Sequence, residues 1–174
     1  TGLYTFHELK KQLPTFISHG MEGAVLLFDV DRLQRINDIL GYLVGDEVLQ
    51  RLGQKCQSME GVISYRGPGG KFYCITTEKS ENELDRIYQE MQKFSVEVPR
   101  EMNLEIQLTI SCGVAFFPQD AEDFETLHAN VEYALEQAKK VGRGSIAQFS
   151  GQMHRKTVEK FRLQEVLRES VANN

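Results

Sequence analysis

The chain has 174 residues, 41% hydrophobic and 26% charged, with a formal charge of −5 at pH 7. That length and apolar content suffice for one globular domain with a substantial core. The acidic balance, with Lys and Arg scattered, excludes a nucleic-acid backbone as the main partner, because such binding needs clustered cations to displace counterions.

Thr5 is placed to cap a first helix running to about His19 and closed by Gly20, with Pro14 expected to kink or shorten it. Ala24, Val25, Leu26, Leu27 and Phe28 form a short apolar run ending in Asp29-Val30-Asp31, the pattern of a central strand buried on both faces with an acidic exit. Leu33, Ile36 and Leu40 recur at helical spacing up to Gly41, and Val48, Leu49, Leu52 and Cys56 predict a second amphipathic helix behind a Gly45-Asp46 cap. Val62-Ile63-Ser64-Tyr65 and Phe72-Tyr73-Cys74-Ile75 flank the turn Arg66-Gly67-Pro68-Gly69-Gly70-Lys71 and read as a β-hairpin. Leu84, Ile87, Tyr88, Met91 and Phe94 mark a third surface helix. Leu104, Ile106, Leu108 and Ile110 alternate with Glu105, Gln107 and Thr109, which predicts a strand with one buried face, continuing towards Phe117 and ended by Pro118. Phe124, Leu127, Val131, Leu135 and Ala138 form a helical stripe stopped at Gly142, 145–149 reads as a short last strand, and 153–171 as a charged helix carrying Phe161, Leu163, Val166 and Leu167 on part of its surface. This order predicts an α/β (α+β) sandwich, a mixed central sheet flanked by helices, with the domain proper at 1–150 and a C-terminal connecting helix at 151–174.

The longest uninterrupted apolar run, 24–28, is far short of a membrane span, and no basic-then-apolar leader opens the chain. A cytoplasmic domain is expected, and a start at Thr1 with a stop after a helical run reads as a piece excised from a longer protein that is free to carry membrane spans or sensors. Cys56, Cys74 and Cys112 are odd in number, widely spaced and set in apolar surroundings, so they read as reduced core thiols, not as a disulfide framework or zinc site. His7, His19, His128 and His154 share no ligand or nucleophile spacing, and no Gly-x-Ser-x-Gly elbow accompanies a Ser, which leaves hydrolase chemistry without support.

Asp29 and Asp31 can project to one side of a strand end with the Val30 carbonyl between them, a set that suits Mg²⁺ bound to phosphates and equally suits a turn or a solvated edge. Asn37 and Asp46 lie on the segments that follow. An amide and a carboxylate facing one cleft can read a purine edge, since the acid accepts from paired N–H donors; helix surface and a helix cap are the plain alternatives. Lys139 and Arg143, four apart at a helix end, can reach phosphate oxygens from one face or simply complement the helix dipole. Pro68 lacks an N–H and its turn joins two strands, so a Walker-type phosphate loop is excluded.

Taken together these blocks resemble the GGDEF family of diguanylate cyclases, which join two GTP molecules into cyclic di-GMP. Thr1-Gly2-Leu3-Tyr4 is similar to the family's opening signature; Asp29-Val30-Asp31 through Ile36-Asn37-Asp38, Gly41 and Gly45-Asp46 matches its Asp-x-Asp-x-Phe-Lys-x-Ile-Asn-Asp segment without a gap; Thr109-Ile110-Ser111-Cys112-Gly113-Val114 and Ala138-Lys139-Lys140-Val141-Gly142-Arg143 match two later blocks. The resemblance implies that Asp29 and the Val30 carbonyl hold Mg²⁺, Asn37 and Asp46 the guanine, and Lys139 and Arg143 the phosphates. It also implies a GTP or related guanine-nucleotide ligand, a homodimer during turnover, and, from the similarity of 153–168 to a connecting helix, an EAL phosphodiesterase domain and an upstream sensor in the same polypeptide.

The departures set the expected function. Aligned without gaps, the family's Gly-Gly-Asp-Glu-Phe becomes Pro68-Gly69-Gly70-Lys71-Phe72; with a one-residue insertion it becomes Gly69-Gly70-Lys71-Phe72-Tyr73. Neither register keeps a carboxylate, so the signature hairpin supplies no catalytic residue and Mg²⁺ binding is expected to be weakened. An ammonium about 4 Å from a divalent ion adds repulsion of about 8 kcal/mol at an effective dielectric of about 20, less if Lys71 swings into water. Gln34 stands for the family's phosphate-contacting Lys, Leu33 for its Phe, Tyr42 for its His and Glu136 for its Tyr, and the product-inhibition motif falls on Met59-Glu60-Gly61-Val62 without its charges. The expectation is a catalytically impaired domain that binds GTP as a regulatory module, beside two alternatives: a scaffold or dimerisation module without ligand, and an active cyclase that recruits another acid such as Asp31.

Overall fold

The apolar run at 24–28 becomes the middle of β2 (Gly23–Val30), a strand buried along nearly its whole length, and the sheet is built outward from it. The computed structural model of the chain describes residues 2–101 and 108–172. β2 pairs antiparallel with β4 (Lys71–Thr76) on one side and β5 (Ile110–Phe117) on the other. β3 (Ile63–Arg66) joins β4 as a hairpin, and the short β1 (Tyr4–Thr5) and β6 (Ile146–Gln148) lie at the edges, parallel to β3 and β5. The order β1-β3-β4-β2-β5-β6 makes a mixed six-stranded sheet.

Successive strand residues point to opposite faces, so the sheet feeds two cores. Leu26 and Phe28 enter one, with Ile36 of α2 (Leu33–Leu40), Val48 and Leu52 of α3 (Tyr42–Ser58) and Ile87 and Met91 of α4 (Glu81–Glu101). Val25 and Leu27 enter the other, with Leu9 and Leu13 of α1 (Phe6–Ser18) and Leu127, Val131 and Leu135 of α5 (Phe124–Val141). Each such side chain stabilises the fold by about 1.5–3 kcal/mol on burial. The layers are those of the expected α/β sandwich.

Thr5 caps α1 reciprocally: its hydroxyl accepts from the Glu8 N–H at 3.2 Å and its own N–H donates to Glu8 Oε2 at 2.6 Å. α1 continues past Pro14 to Ser18, so the helix is not cut short there. Pro14 faces solvent, so the Lys10 carbonyl that loses its intrahelical partner is left to water. The Gly45-Asp46 cap is also corrected. α3 starts at Tyr42 with Gly41 at its N-cap, and Gly45 and Asp46 lie inside the helix. The expected alternation at 104–107 falls outside the described residues. Ile110–Phe117 is buried on both faces, not one, because α4 and α5 cover opposite sides of β5. Cys56, Cys74 and Cys112 are buried free thiols. α6 (Gly151–Ala172) leaves Phe161, Leu163, Val166, Leu167 and Val171 exposed and is tied to α5 where the Tyr133 hydroxyl donates to the Met153 carbonyl at 3.2 Å. Among the described residues no helix is long and apolar enough to cross a membrane.

Candidate functional site

The end of β2, the tip of the β3–β4 hairpin, the first turn of α2 and the end of α5 converge on Asp29. In β2, Asp29 pairs across the sheet with Lys71 of β4 and Ser111 of β5. A Cβ on Gly70 would lie 3.4 Å from Asp29 Oδ1, 3.5 Å from Val30 Cβ and 3.0 Å from Leu33 Cδ2, so position 70 is the one that faces the Asp29 carboxylate. Its residue has no side chain to offer there.

Asp29 is held from the opposite wall. Lys139 Nζ donates to Asp29 Oδ2 at 2.6 Å, with the two side chains only 27% and 16% exposed. Burial alone would pull the Lys139 ammonium down, but the hydrogen bond and charge of Asp29 outweigh it and hold its pKa above the ordinary lysine value. Lys71 does not swing into water; it grips both oxygens of Glu132 on α5 at 2.9 and 2.8 Å. Glu132 also lies 3.4 Å from the Tyr73 hydroxyl and 3.5 Å from His128 Nε2, and burial together with the Glu132 charge pushes the Tyr73 phenol well up.

The hairpin tip is closed on itself. The Arg66 guanidinium donates to the carbonyls of Gly67 at 3.0 Å and Lys71 at 2.7 Å and also to that of Gly69, while its face covers the Phe72 ring at 4.5 Å. The Pro68 carbonyl accepts from the Lys71 N–H at 3.3 Å and the Gly70 carbonyl from the Val30 N–H at 3.2 Å. Every carbonyl from Gly67 to Lys71 therefore already has a donor.

Asp31 faces the same layer as Asp29 but serves the fold. Its carboxylate accepts from the Thr109 hydroxyl at 2.7 Å, the Ser111 hydroxyl at 2.9 Å and the Gly144 N–H at 3.0 Å, and the residue is 6% exposed. These bonds tie β2 to β5 and to the loop after α5. Asp31→Ala is expected to cost about 2 kcal/mol by orphaning buried donors, a loss that urea denaturation would register. Unchanged stability would contradict this structural role.

One turn beyond Leu33, Asn37 lies over α3. Its Oδ1 is buried and has no hydrogen-bond partner. A Cβ on Gly45 would sit 1.8 Å from that oxygen, so the amide occupies the space a side chain at 45 would fill. Asp46 and Arg143 are exposed and make no side-chain hydrogen bond or ion pair among the described residues. The residues proposed from sequence thus fall into a joined group, Asp29, Val30, Gly70 and Lys139, and a second group formed by Asn37 against Gly45. The fold leaves Asp46 and Arg143 free at the surface.

Sequence reasoning missed Glu132, Arg66, the hydroxyls of Thr109 and Ser111, and the reason for Gly45. A signal existed for Glu132. Glu132, Glu136 and Lys139 recur at i, i+4 and i+7 on one face of α5, which ends at Val141, so that Arg143 follows in the loop beyond it.

Over residues 2–145 the chain matches the family described as diguanylate cyclase, GGDEF domain. It is 29% identical over 158 residues to the cyclic di-GMP phosphodiesterase NbdA of Pseudomonas aeruginosa, a match covering 89% of this chain and 20% of that protein. To the diguanylate cyclase DosC of Escherichia coli it is 33% identical over 135 residues, covering 73% of this chain and 28% of that one. The chain spans less than half the length of these curated relatives. The solved GGDEF domain of YfiN from Pseudomonas aeruginosa shares the fold with a TM-score of 0.76 at 24% identity, over 90% of this chain and 96% of that one.

Proposed function

Because the chain belongs to the GGDEF domain family, we propose that it is a catalytically impaired member that binds a guanine nucleotide and acts as a regulatory module in cyclic di-GMP signalling. The observation that carries the binding half is Asn37 Oδ1, an acceptor kept buried and unpartnered against Gly45. Buried polar atoms are nearly always satisfied, and an acceptor left without a donor suits an N–H of a guanine edge once the side chain turns to meet it. Asp46 on the facing helix would accept from the neighbouring guanine N–H groups, and Lys139 and Arg143 would meet the phosphates.

The impaired half rests on the Mg²⁺ ligands. Family members would place an acid opposite Asp29, and Gly70 supplies none. Asp29 itself is engaged by an ammonium and Asp31 by three donors. These residues do not fit a two-metal phosphoryl-transfer centre, so no cyclisation step is assigned to them. A module of this kind would work beside an output domain, and the similarity to a protein named as a phosphodiesterase favours an EAL domain connected through α6; an upstream sensor and a cytoplasmic setting belong to the same proposal.

The test pairs calorimetry with product analysis. GTP is expected to bind the wild type, Asn37→Ala and Asp46→Ala to weaken it by about tenfold or more, and prolonged incubation with GTP and Mg²⁺ to yield no cyclic di-GMP by mass spectrometry. No binding heat would leave a scaffold role. Cyclic di-GMP above background would restore the active-cyclase reading.

A further inference from the structure

Resting on the guanine-nucleotide reading, we propose that this cleft binds its nucleotide without a divalent cation, the Lys139 ammonium linking the Asp29 carboxylate to the phosphates. The donor census at the end of β2 leads there. A hard divalent cation needs several oxygen ligands, usually carboxylates, carbonyls and water. Of the two carboxylates, Asp31 is saturated by the Thr109 and Ser111 hydroxyls and the Gly144 N–H. The carbonyls of Gly67, Gly69 and Lys71 accept from Arg66, that of Pro68 from the Lys71 N–H and that of Gly70 from the Val30 N–H. Asp29 and the Val30 carbonyl remain, too few on their own for a divalent ion, and a cation approaching them would have to displace an ammonium bonded to Asp29 at 2.6 Å in a half-buried setting where screening is weak.

The same ammonium is equipped for the other task. Lys139 carries three N–H donors, of which Asp29 takes one, and Glu136 at 3.9 Å is beyond hydrogen-bond reach. The remaining donors can meet phosphate oxygens. Arg143, four residues on and without a partner among the described residues, adds a planar fork suited to the same anion. Lys71 does not interfere, because Glu132 holds it against α5. With no metal ligand set to complete, added Mg²⁺ strengthens nothing in the cleft; it binds free GTP and lowers the negative charge that Lys139 and Arg143 attract.

The experiment is calorimetry of the chain with GTP in excess EDTA and in excess Mg²⁺. The expected result is a Kd in EDTA equal to or below that in Mg²⁺, within about threefold. Affinity weaker by about tenfold or more in EDTA overturns this inference alone and leaves the nucleotide-binding reading standing; absence of heat in both buffers overturns both. Lys139→Met, checked for an intact thermal transition, is expected to lose about tenfold or more in EDTA. Undiminished affinity in that variant also overturns the inference.

Discussion

Gly45→Ala is expected to weaken guanine-nucleotide binding by about tenfold to a hundredfold while leaving the domain as stable as the wild type or more so. Gly45 lies inside α3, and the Cβ of an alanine there would fall 1.8 Å from Asn37 Oδ1 and 2.9 Å from its Cγ. No such contact can stand, and what gives way is the end of a side chain, since the three nearest atoms from outside this stretch of helix all belong to the Asn37 amide. Asn37 must turn out of its place over α3. The helix itself gains, because alanine is favoured over glycine in a helix interior by about 1 kcal/mol. Loss of a hydrogen bond to a buried group costs about 1–3 kcal/mol, which corresponds to roughly a tenfold to hundredfold rise in Kd. Calorimetry with GTP and a thermal melt, run on the same preparation, check the two halves together. Wild-type affinity in this variant would mean that Asn37 does not read the base.

The largest effect on stability is expected at Gly113. This residue sits in β5 directly beneath α5, and a Cβ there would lie 2.4 Å from the Leu135 N, 2.5 Å from the Val131 carbonyl oxygen and 2.9 Å from the Leu135 Cα. All three are backbone atoms of a helix whose Leu127, Val131 and Leu135 fill the core on that side. No side-chain rotation relieves the clash, so α5 must lift from the sheet and loosen that core. Gly113→Ala is expected to cost about 3 kcal/mol or more, at the upper end of overpacking effects, and to lower Tm by about 6–12 °C for a domain of this size. The shift of α5 also carries Lys139 away from Asp29, so nucleotide affinity should fall with stability. A Tm within about 2 °C of the wild type would show that α5 is free to move, against the close packing described.

Much of this was legible in the amino-acid order because the signals are local. Thr5 followed by Glu8 is a complete capping box within four residues, and 24–28 has no polar position that could face water. The hairpin is announced by its glycine turn. Where reading failed, the cause lay in distant neighbours. Gly45-Asp46 has the chemistry of a cap, but the glycine is there because Asn37, eight residues earlier, needs its space. Asp31 has the chemistry of a metal ligand until Thr109 and Ser111 of the neighbouring strand segment take its oxygens. Pro14 reads as a point that shortens or kinks the helix, and its position on the solvent face lets the helix continue past it.

Residue order alone determined the sandwich, the placement of Asp29 at a strand end, and the absence of a carboxylate at Gly70 and Lys71, because periodicity, turn chemistry and side-chain type are properties of short stretches. Tertiary structure decided which charge answers which. Lys139 lies 110 residues from Asp29 and Glu132 lies 61 from Lys71, and only the packing of α5 across β2 and β4 brings each pair within hydrogen-bond reach. Electrostatic partnership depends on distance through space, and chain spacing does not encode it beyond a helix turn or a strand pair.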